Sequence, residues 1–371
     1  AVALLLLSCG ATDNSEPPAQ LTDIDSPLRL ESLWTLDTRA GRSTRSFNNQ
    51  PLLVKDQIFV VDTKGQVKSI NAKNGKVGWK YETGLQAITG LAGNTDRIIA
   101  SSRDGDIQLY RLLDQGLELQ WSVKLKAEIR ATPVIDADQV FVRSSDGKLS
   151  ALSLVDGSIQ WTVSRRVPAL SLTGNSRPVV QENLVYTGFD DGKIVAFERT
   201  KGDTVWETTV SQPTGRTEIE RLVDIDGQFI LRDGVLYVSS FQGRLAAIQA
   251  LDGVELWSRK FSSFQSMSAD ADALYLSDAN SHLWSVDRRT GSAFWMQDVL
   301  HARKITAPLL LDDKLVVADI HGYVHWLNKS DGKLSGRIRS GEKRHFAQPF
   351  AWEGRVLVID GAGFLSALAS Y

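Results

Sequence analysis

The chain repeats itself about every forty residues, and this periodicity limits the fold more than any other feature. Eight short segments of similar pattern recur: GQVKSI from Gly65, GDIQLY from Gly105, GKLSAL from Gly147, GKIVAF from Gly192, GRLAAI from Gly243, SHLWSV from Ser281, GYVHWL from Gly322 and GFLSAL from Gly363. A period of this length, built from short alternating strands, is typical of a β-propeller, in which each repeat forms one four-stranded blade. The 371 residues therefore need no second domain of another type.

Tryptophan follows the repeated segments in register, at Trp79, Trp121, Trp161, Trp206, Trp257 and Trp295, and Gly336 takes the seventh place. We expect these rings to be structural, each packing against the neighbouring blade. The eighth copy reaches Tyr371 without a closing strand, whereas ESLWTLDT with Trp34 precedes the first copy. If that strand completes the last sheet, no long sheet edge is left exposed. The sequence thus predicts an all-β fold over residues 31–371, an eight-bladed β-propeller of four-stranded antiparallel blades whose ring is closed by the N-terminal strand.

Five prolines recur before apolar runs, and we expect each of them to be the first residue of an inner strand, where its missing N–H is tolerated. They are Pro51, Pro133, Pro178, Pro308 and Pro349.

The N-terminus reads AVALLLLSCG, an apolar run too short to span a bilayer. It is typical of the end of a secretory signal peptide, and LLSC resembles a bacterial lipobox. We therefore expect residues 1–9 to be the end of a signal peptide whose start is missing, and Cys9 to be lipidated. The alternative is a buried free cysteine, against which the polar flank argues. Residues 10–30 are predicted to be a flexible tether with a reach of roughly 25 Å.

Composition and scattered polar residues give no catalytic or metal site. The net charge of −2 lacks the basic excess of a nucleic-acid-binding protein. The five histidines, His282, His301, His321, His325 and His345, are scattered along the sequence, and no nucleophile with a base can be named. A binding or scaffolding protein is the favoured class, without enzymatic activity.

The tryptophan-containing repeats resemble those of quinoprotein dehydrogenases. That resemblance implies an alternative function, a periplasmic dehydrogenase that binds pyrroloquinoline quinone and calcium. The family places a disulfide of adjacent cysteines against the quinone and supplies Glu, Asn and Asp to the calcium. This chain has a single cysteine, and its carboxylates lie mostly in turns such as DDG. We therefore expect no cofactor.

Two connections from an outer strand to the next inner strand are elongated. One lies between Trp161 and Pro178, and the other lies between Trp206 and Phe229 and includes SQPTGRTEIERLVDIDG. Connections of the same type emerge on the same face of a propeller, and these two are one blade apart, so we expect them to form one surface. Thr217 and Glu220 match a capping box, which predicts a short helix with Ile219, Leu222 and Val223 on one side. These apolar residues would either pack the connections onto the propeller or form a partner site.

LSLTGNSRP and TGRTEIERLVDID, with the lipobox and the eight repeats, closely resemble the BamB family, the lipoproteins of the β-barrel assembly machinery (Bam complex) of the Gram-negative outer membrane. The resemblance implies a scaffold at the periplasmic face of the outer membrane. This scaffold would bind POTRA domains of BamA, contact the other Bam subunits through BamA, and support the folding and insertion of β-barrel proteins. Unfolded outer-membrane proteins are a further potential partner.

Residues of both connections match the family's partner surface. Leu170, Leu172, Asp224 and Asp226 match positions implicated in the BamA contact, and Glu218 and Arg221 lie in the same TEIERL motif. The family's arginine after the second leucine is replaced here by Thr173, and Arg177 is close enough in sequence to substitute for it.

Overall fold

Eight sheets form the fold of this chain. The structure is a computed structural model that describes residues 16–25, 27–40, 50–86, 88–168, 176–212, 225, 229–240, 243–263, 265–345 and 347–371. These residues form thirty-two strands in eight four-stranded sheets, and every pair of neighbouring strands is antiparallel. The described part of the chain has no helix, and so no helix that could cross a membrane. The predicted eight-bladed β-propeller is confirmed.

The strands are numbered in chain order and grouped into blades 1 to 8. Blade 1 contains β2 (Leu52–Val54), β3 (Gln57–Val61), β4 (Gln66–Asn71) and β5 (Val77–Glu82); blade 2 contains β6 (Ile88–Gly93), β7 (Arg97–Ser102), β8 (Asp106–Leu113) and β9 (Gly116–Lys124). Blade 3 contains β10 (Val134–Asp136), β11 (Gln139–Arg143), β12 (Lys148–Ser153) and β13 (Ile159–Ser164); blade 4 contains β14 (Val179–Gln181), β15 (Leu184–Gly188), β16 (Lys193–Glu198) and β17 (Thr204–Thr209). Blade 5 contains β18 (Ile230–Arg232), β19 (Val235–Ser239), β20 (Arg244–Gln249) and β21 (Glu255–Lys260); blade 6 contains β22 (Met267–Ala269), β23 (Ala273–Ser277), β24 (Leu283–Asp287) and β25 (Ala293–Gln297). Blade 7 contains β26 (Leu309–Leu311), β27 (Lys314–Ala318), β28 (Tyr323–Asn328) and β29 (Leu334–Arg339); blade 8 contains β30 (Phe350–Trp352), β31 (Arg355–Ile359), β32 (Phe364–Ser370) and β1 (Leu30–Asp37).

The N-terminal strand closes the ring, as predicted. β1 pairs with β32 from Leu30 opposite Ser370 to Asp37 opposite Phe364. Trp34 lies opposite Ala367, which is the register that Trp161 keeps with Ala151 in blade 3. The first and last strands of the ring are thus held in one sheet.

The tryptophans of the outer strands join neighbouring blades, as expected; six do so through a turn glycine, and Trp79 packs against the apolar cluster shared with blade 2. The Nε1–H of Trp161 donates a hydrogen bond of 2.8 Å to the carbonyl of Arg199 in blade 4. Its ring lies over Gly202, where a Cβ atom would be only 2.6 Å from Cε3. Six junctions repeat this pairing: Trp34 with Gly75, Trp121 with Gly157, Trp161 with Gly202, Trp206 with Gly253, Trp257 with Gly291, and Trp295 with Gly332. The turn glycine therefore provides both the positive φ of the hairpin and the space for the ring.

The prediction that the five prolines begin the inner strands is wrong by one residue. The strands start at Leu52, Val134, Val179, Leu309 and Phe350, each directly after a proline. Because proline has no N–H to donate to the ladder, pairing begins at the following residue.

The alternation of antiparallel strands creates two distinct faces. The outer-to-inner connections and the turns between second and third strands share one face, here named the connection face; the other turns form the hairpin face. Backbone bonds tie the connection face together, for example from the N–H of Ser145 to the carbonyl of Glu128. The connection at 210–229 is the longest, with twenty residues, and the one at 38–51 is as long as the predicted one at 165–178. The sequence analysis missed that third long connection.

Candidate functional site

The structure describes one of the predicted site residues. Arg177 is described, whereas the others and the predicted short helix lie outside the described residues: Cys9, Leu170, Leu172, Thr173, Glu218, Arg221, Asp224, Asp226 and the helical positions Thr217, Ile219, Leu222 and Val223. The site is therefore built from the ends and anchors of the two connections.

The two elongated connections converge at the end of β15. A Cβ atom at Gly188 would lie 2.7 Å from Cγ2 of Ile225 and 3.3 Å from Oγ of Ser176. Ser176 belongs to the first connection and Ile225 belongs to the second, so the absence of a side chain at Gly188 lets both connections approach the same point. This proximity agrees with the expectation that they share one surface.

Three apolar residues anchor the second connection to blades 4 and 5. Val210, Ile225 and Phe229 are almost completely buried in one core cluster with Tyr186 and Trp206. Ile225 stands between the two aspartates of the DID motif in sequence. The sequence analysis did not single out this isoleucine, although an apolar residue between two carboxylates is the signal that could have revealed an anchor.

A buried ion pair joins blades 3 and 4. Nη2 of Arg143 is 3.3 Å from Oδ1 of Asp190, and the two side chains are 4% and 6% exposed. The Arg143 guanidinium lies 4.6 Å from the centre of the Phe189 ring, and Arg165 lies 5.5 Å from it. Both arginines thus make cation–π contacts with Phe189. The pair fixes the turn of blade 4 on which the two connections converge.

Further charged side chains lie where the two connections leave blades 3 and 4. Arg165 and Lys193 each lie 2.5 Å from a carboxylate oxygen of Glu207, and their hydrogen bonds hold the pKa of Glu207 below its ordinary value. Arg177 is half-buried, and burial lowers the pKa of its guanidinium. No carboxylate among the described residues is paired with Arg177. Four cationic side chains, those of Arg143, Arg165, Arg177 and Lys193, therefore accompany two carboxylates, those of Asp190 and Glu207, in this region.

Two of the five histidines that are scattered along the sequence meet in the structure. Nε2 of His282 lies 2.9 Å from Nδ1 of His301, and the rings stack with centres 5.0 Å apart. The turn before β24 and the connection that enters blade 7 bring these two residues together, although they are nineteen positions apart. Within the described ranges, no group of three or more His, Cys, Asp and Glu side chains could hold a metal ion.

The buried carboxylates Asp319 and Asp190 do not fit a quinone and calcium site. Asp319 is completely buried and is held by Arg303 at 2.7 Å and by His325 at 2.9 Å. Burial opposes its ionisation, but the hydrogen bond from His325 and the charge of Arg303 outweigh burial and bring its pKa to about 2. Asp190 is held by Arg143 in the same way. Both of these carboxylates already have a protein cation, and the chain has no second cysteine. The third buried carboxylate of the described residues, Asp360, accepts hydrogen bonds at Oδ1 from the N–H groups of Ala362 and Phe364.

Comparisons with known proteins agree with this geometry. The family described as outer membrane protein assembly factor BamB matches residues 31–111 and 89–297. The BamB of Alkalilimnicola ehrlichii is 35% identical over 99% of this chain and 95% of its own length. The crystal structure of BamB from Moraxella catarrhalis has a TM-score of 0.81 at 24% identity, covering 92% of this chain and all of that chain. A europium-containing methanol dehydrogenase has a TM-score of 0.73 at 12% identity, covering 92% and 93%, and shares the fold alone. The chain therefore belongs to the family of the outer membrane protein assembly factor BamB.

Proposed function

We propose that the protein is a non-catalytic scaffold lipoprotein of the Bam complex. It is anchored through Cys9 at the periplasmic face of the outer membrane, and it supports the folding and insertion of β-barrel proteins there. The family supports the assembly role. The convergence of two elongated connections over Gly188 is the observation that supports a partner surface.

The partner surface binds POTRA domains of BamA. In this proposal Leu170 and Leu172 form the apolar centre of the contact, and Asp224 and Asp226 lie at its rim. An apolar centre within a polar rim is the usual arrangement of an interface. The buried Ile225 anchor supports this division, because it attaches the connection next to both aspartates. The other Bam subunits are reached through BamA.

Truncation of the central leucines tests this surface. Leu170→Ala and Leu172→Ala should each weaken BamA binding by about 1 to 3 kcal/mol, as expected for central contacts. Asp226→Asn should cost less and should mainly reduce the association rate and its dependence on salt. Leu251→Ala is the matched control, since Leu251 is 72% exposed on the hairpin face.

Binding and thermal stability must be measured on the same variants. Lost binding with an unchanged Tm supports the partner surface. A lower Tm with a proportionate loss of binding would instead show that the leucines pack the connections onto the propeller. Unchanged binding in both leucine variants would exclude this surface.

A further inference from the structure

An N-terminal strap, residues 16–25 and 27–30, lies along the outside of blade 7. The N–H of Ala19 donates to the carbonyl of His301 at 3.0 Å, and Nη1 of Arg303 donates to the carbonyl of Ala19 at 2.8 Å. Further along, Nη2 of Arg337 donates to the carbonyl of Thr22 at 3.1 Å. This part of the predicted flexible tether is therefore held by the propeller.

The lower end of the strap fills the junction that has no tryptophan. Gly336 occupies the tryptophan position of β29, and a Cβ atom there would lie 3.0 Å from Cδ1 of Leu30 and 3.3 Å from Cβ of Leu28. The N–H of Leu28 donates to the carbonyl of Ser335 at 2.7 Å, and the N–H of Tyr371 donates to the carbonyl of Arg29 at 3.0 Å. The strap thus replaces the missing ring and is part of the closure of the propeller.

The upper end of the strap reaches the connection face. Oε1 of Glu16 lies 3.0 Å from Nε2 of His301, whose other ring nitrogen contacts His282. Nδ1 of His282 in turn lies 2.9 Å from Oδ2 of Asp278. This chain of four side chains fixes the first described residue of the strap between blades 6 and 7, beside the turn at 278–282.

We propose that the strap is an orientation device that holds the connection face towards the membrane. This inference rests on the proposed lipidation of Cys9. Glu16 lies seven positions after Cys9, a reach of about 25 Å at full extension, whereas Leu30 lies twenty-one positions after Cys9, which would allow about 75 Å if the whole segment were free. To turn the hairpin face to the membrane, the short segment would have to cross the depth of a blade, roughly 20 Å for a strand of six residues. That distance is most of its full extension and exceeds the roughly 15 Å that a flexible coil of seven residues spans on average.

The charges of the two faces favour the same orientation. The segments that join strands at the connection face contain sixteen Lys and Arg against fifteen Asp and Glu. Those at the hairpin face contain nine Lys and Arg against fifteen Asp and Glu. Because anionic phospholipids attract basic segments and repel acidic ones, the hairpin face is the less compatible with a membrane surface. Next to the connection face at blades 6 and 7, where the strap ends, the occupant is thus a phospholipid surface, whereas the proposed BamA surface lies on the same face at blades 4 and 5.

The docking of the strap can be tested without any lipid. In soluble protein carrying Cys9→Ser, the amides of Ala19 and Leu28 should exchange with deuterium at least about a hundredfold more slowly than in an unstructured peptide, because both are hydrogen-bonded. Exchange at the unstructured rate would overturn the inference while leaving the proposed scaffold function intact.

The orientation is tested with lipidated full-length protein in vesicles of phosphatidylethanolamine and phosphatidylglycerol that contain a headgroup spin-labelled lipid. A fluorophore is placed on Glu342→Cys at the connection face or on Ser330→Cys at the hairpin face of the same blade; both positions are exposed. Quenching should be about twofold or more stronger at position 342, because a strand length of roughly 20 Å separates the faces. Equal quenching, or stronger quenching at position 330, refutes the proposal.

An insertion of about fifteen Gly and Ser residues before Glu16 gives a matched variant with the strap intact and a longer reach. The difference in quenching should then shrink; an unchanged difference would show that the short segment does not set the orientation. Intact mass of the membrane-extracted protein checks lipidation separately. If no lipid is found, the proposed anchor fails, while the exchange result still decides whether the strap is docked.

Discussion

Replacement of a single turn glycine tests how the blades are joined. Gly291 has a φ of 70°, and a Cβ atom there would lie 2.5 Å from Cε3 of Trp257. Trp257 is 7% exposed and donates through Nε1 to the carbonyl of Arg288 at 2.8 Å, so its ring has little freedom to move. Gly291→Ala therefore combines backbone strain with a collision between blades 5 and 6.

The two costs can be separated with a control. Gly354 has nearly the same φ, 73°, but nothing lies within 4 Å of its Cβ position. Gly354→Ala should cost about 1 to 2 kcal/mol, the strain of a left-handed conformation. Gly291→Ala should cost about 2 to 5 kcal/mol, because overpacking adds about 1 to 3 kcal/mol. The difference between the two variants is the collision alone.

Urea unfolding followed by far-ultraviolet circular dichroism measures both variants without relying on tryptophan fluorescence. Coincident transitions from a second probe establish that unfolding is two-state. Combining Gly291→Ala with Trp257→Leu should reduce the cost of the glycine substitution towards that of Gly354→Ala, since neighbouring sites are not additive. Equal losses for the two single variants would refute the idea that the glycine makes room for the ring.

Four further predictions concern buried charges and the anchor. Burial lowers the pKa of His325, so below about pH 6.5 the unfolded chain binds a proton that the folded chain does not. The free energy of unfolding should therefore fall by up to about 1.4 kcal/mol per pH unit in that range. The difference in this free energy between pH 7.5 and pH 5.5 should be smaller in His325→Asn than in the parent protein. The pKa of Asp319 is about 2, so its contribution should be present above about pH 4 and lost as the pH falls towards 2; an acid titration in which Asp319→Asn matches the parent protein would contradict this. Asp190→Ala leaves the buried Arg143 without this carboxylate and should cost about 3 to 5 kcal/mol in the free energy of unfolding, whereas a loss below about 1 kcal/mol would show that the pair is not coupled. Cys9→Ser should release the protein into the soluble periplasmic fraction; retention in the outer-membrane fraction of cells without other Bam proteins would disprove the lipid anchor.

The sequence alone determined the architecture, because each repeat carries its own local signals. Strands of period two, turn glycines and tryptophans in register specify a blade without reference to the rest of the chain. Even the ring closure was predictable, since the unpaired strand around Trp34 had to complete the eighth sheet. The two elongated connections were visible as departures from the same repeat.

Contacts between residues distant in sequence were decided only by the tertiary structure. The meeting of His282 with His301, the approach of Ile225 to Gly188 and the docking of the strap depend on how neighbouring blades place their turns. The strap was predicted to be a flexible tether because its composition is polar and contains proline, and composition does not reveal hydrogen bonds to backbone carbonyls. Local patterns specify a strand and its register, whereas a contact between blades depends on the distance and angle at which two packed sheets meet, which no short stretch of sequence encodes.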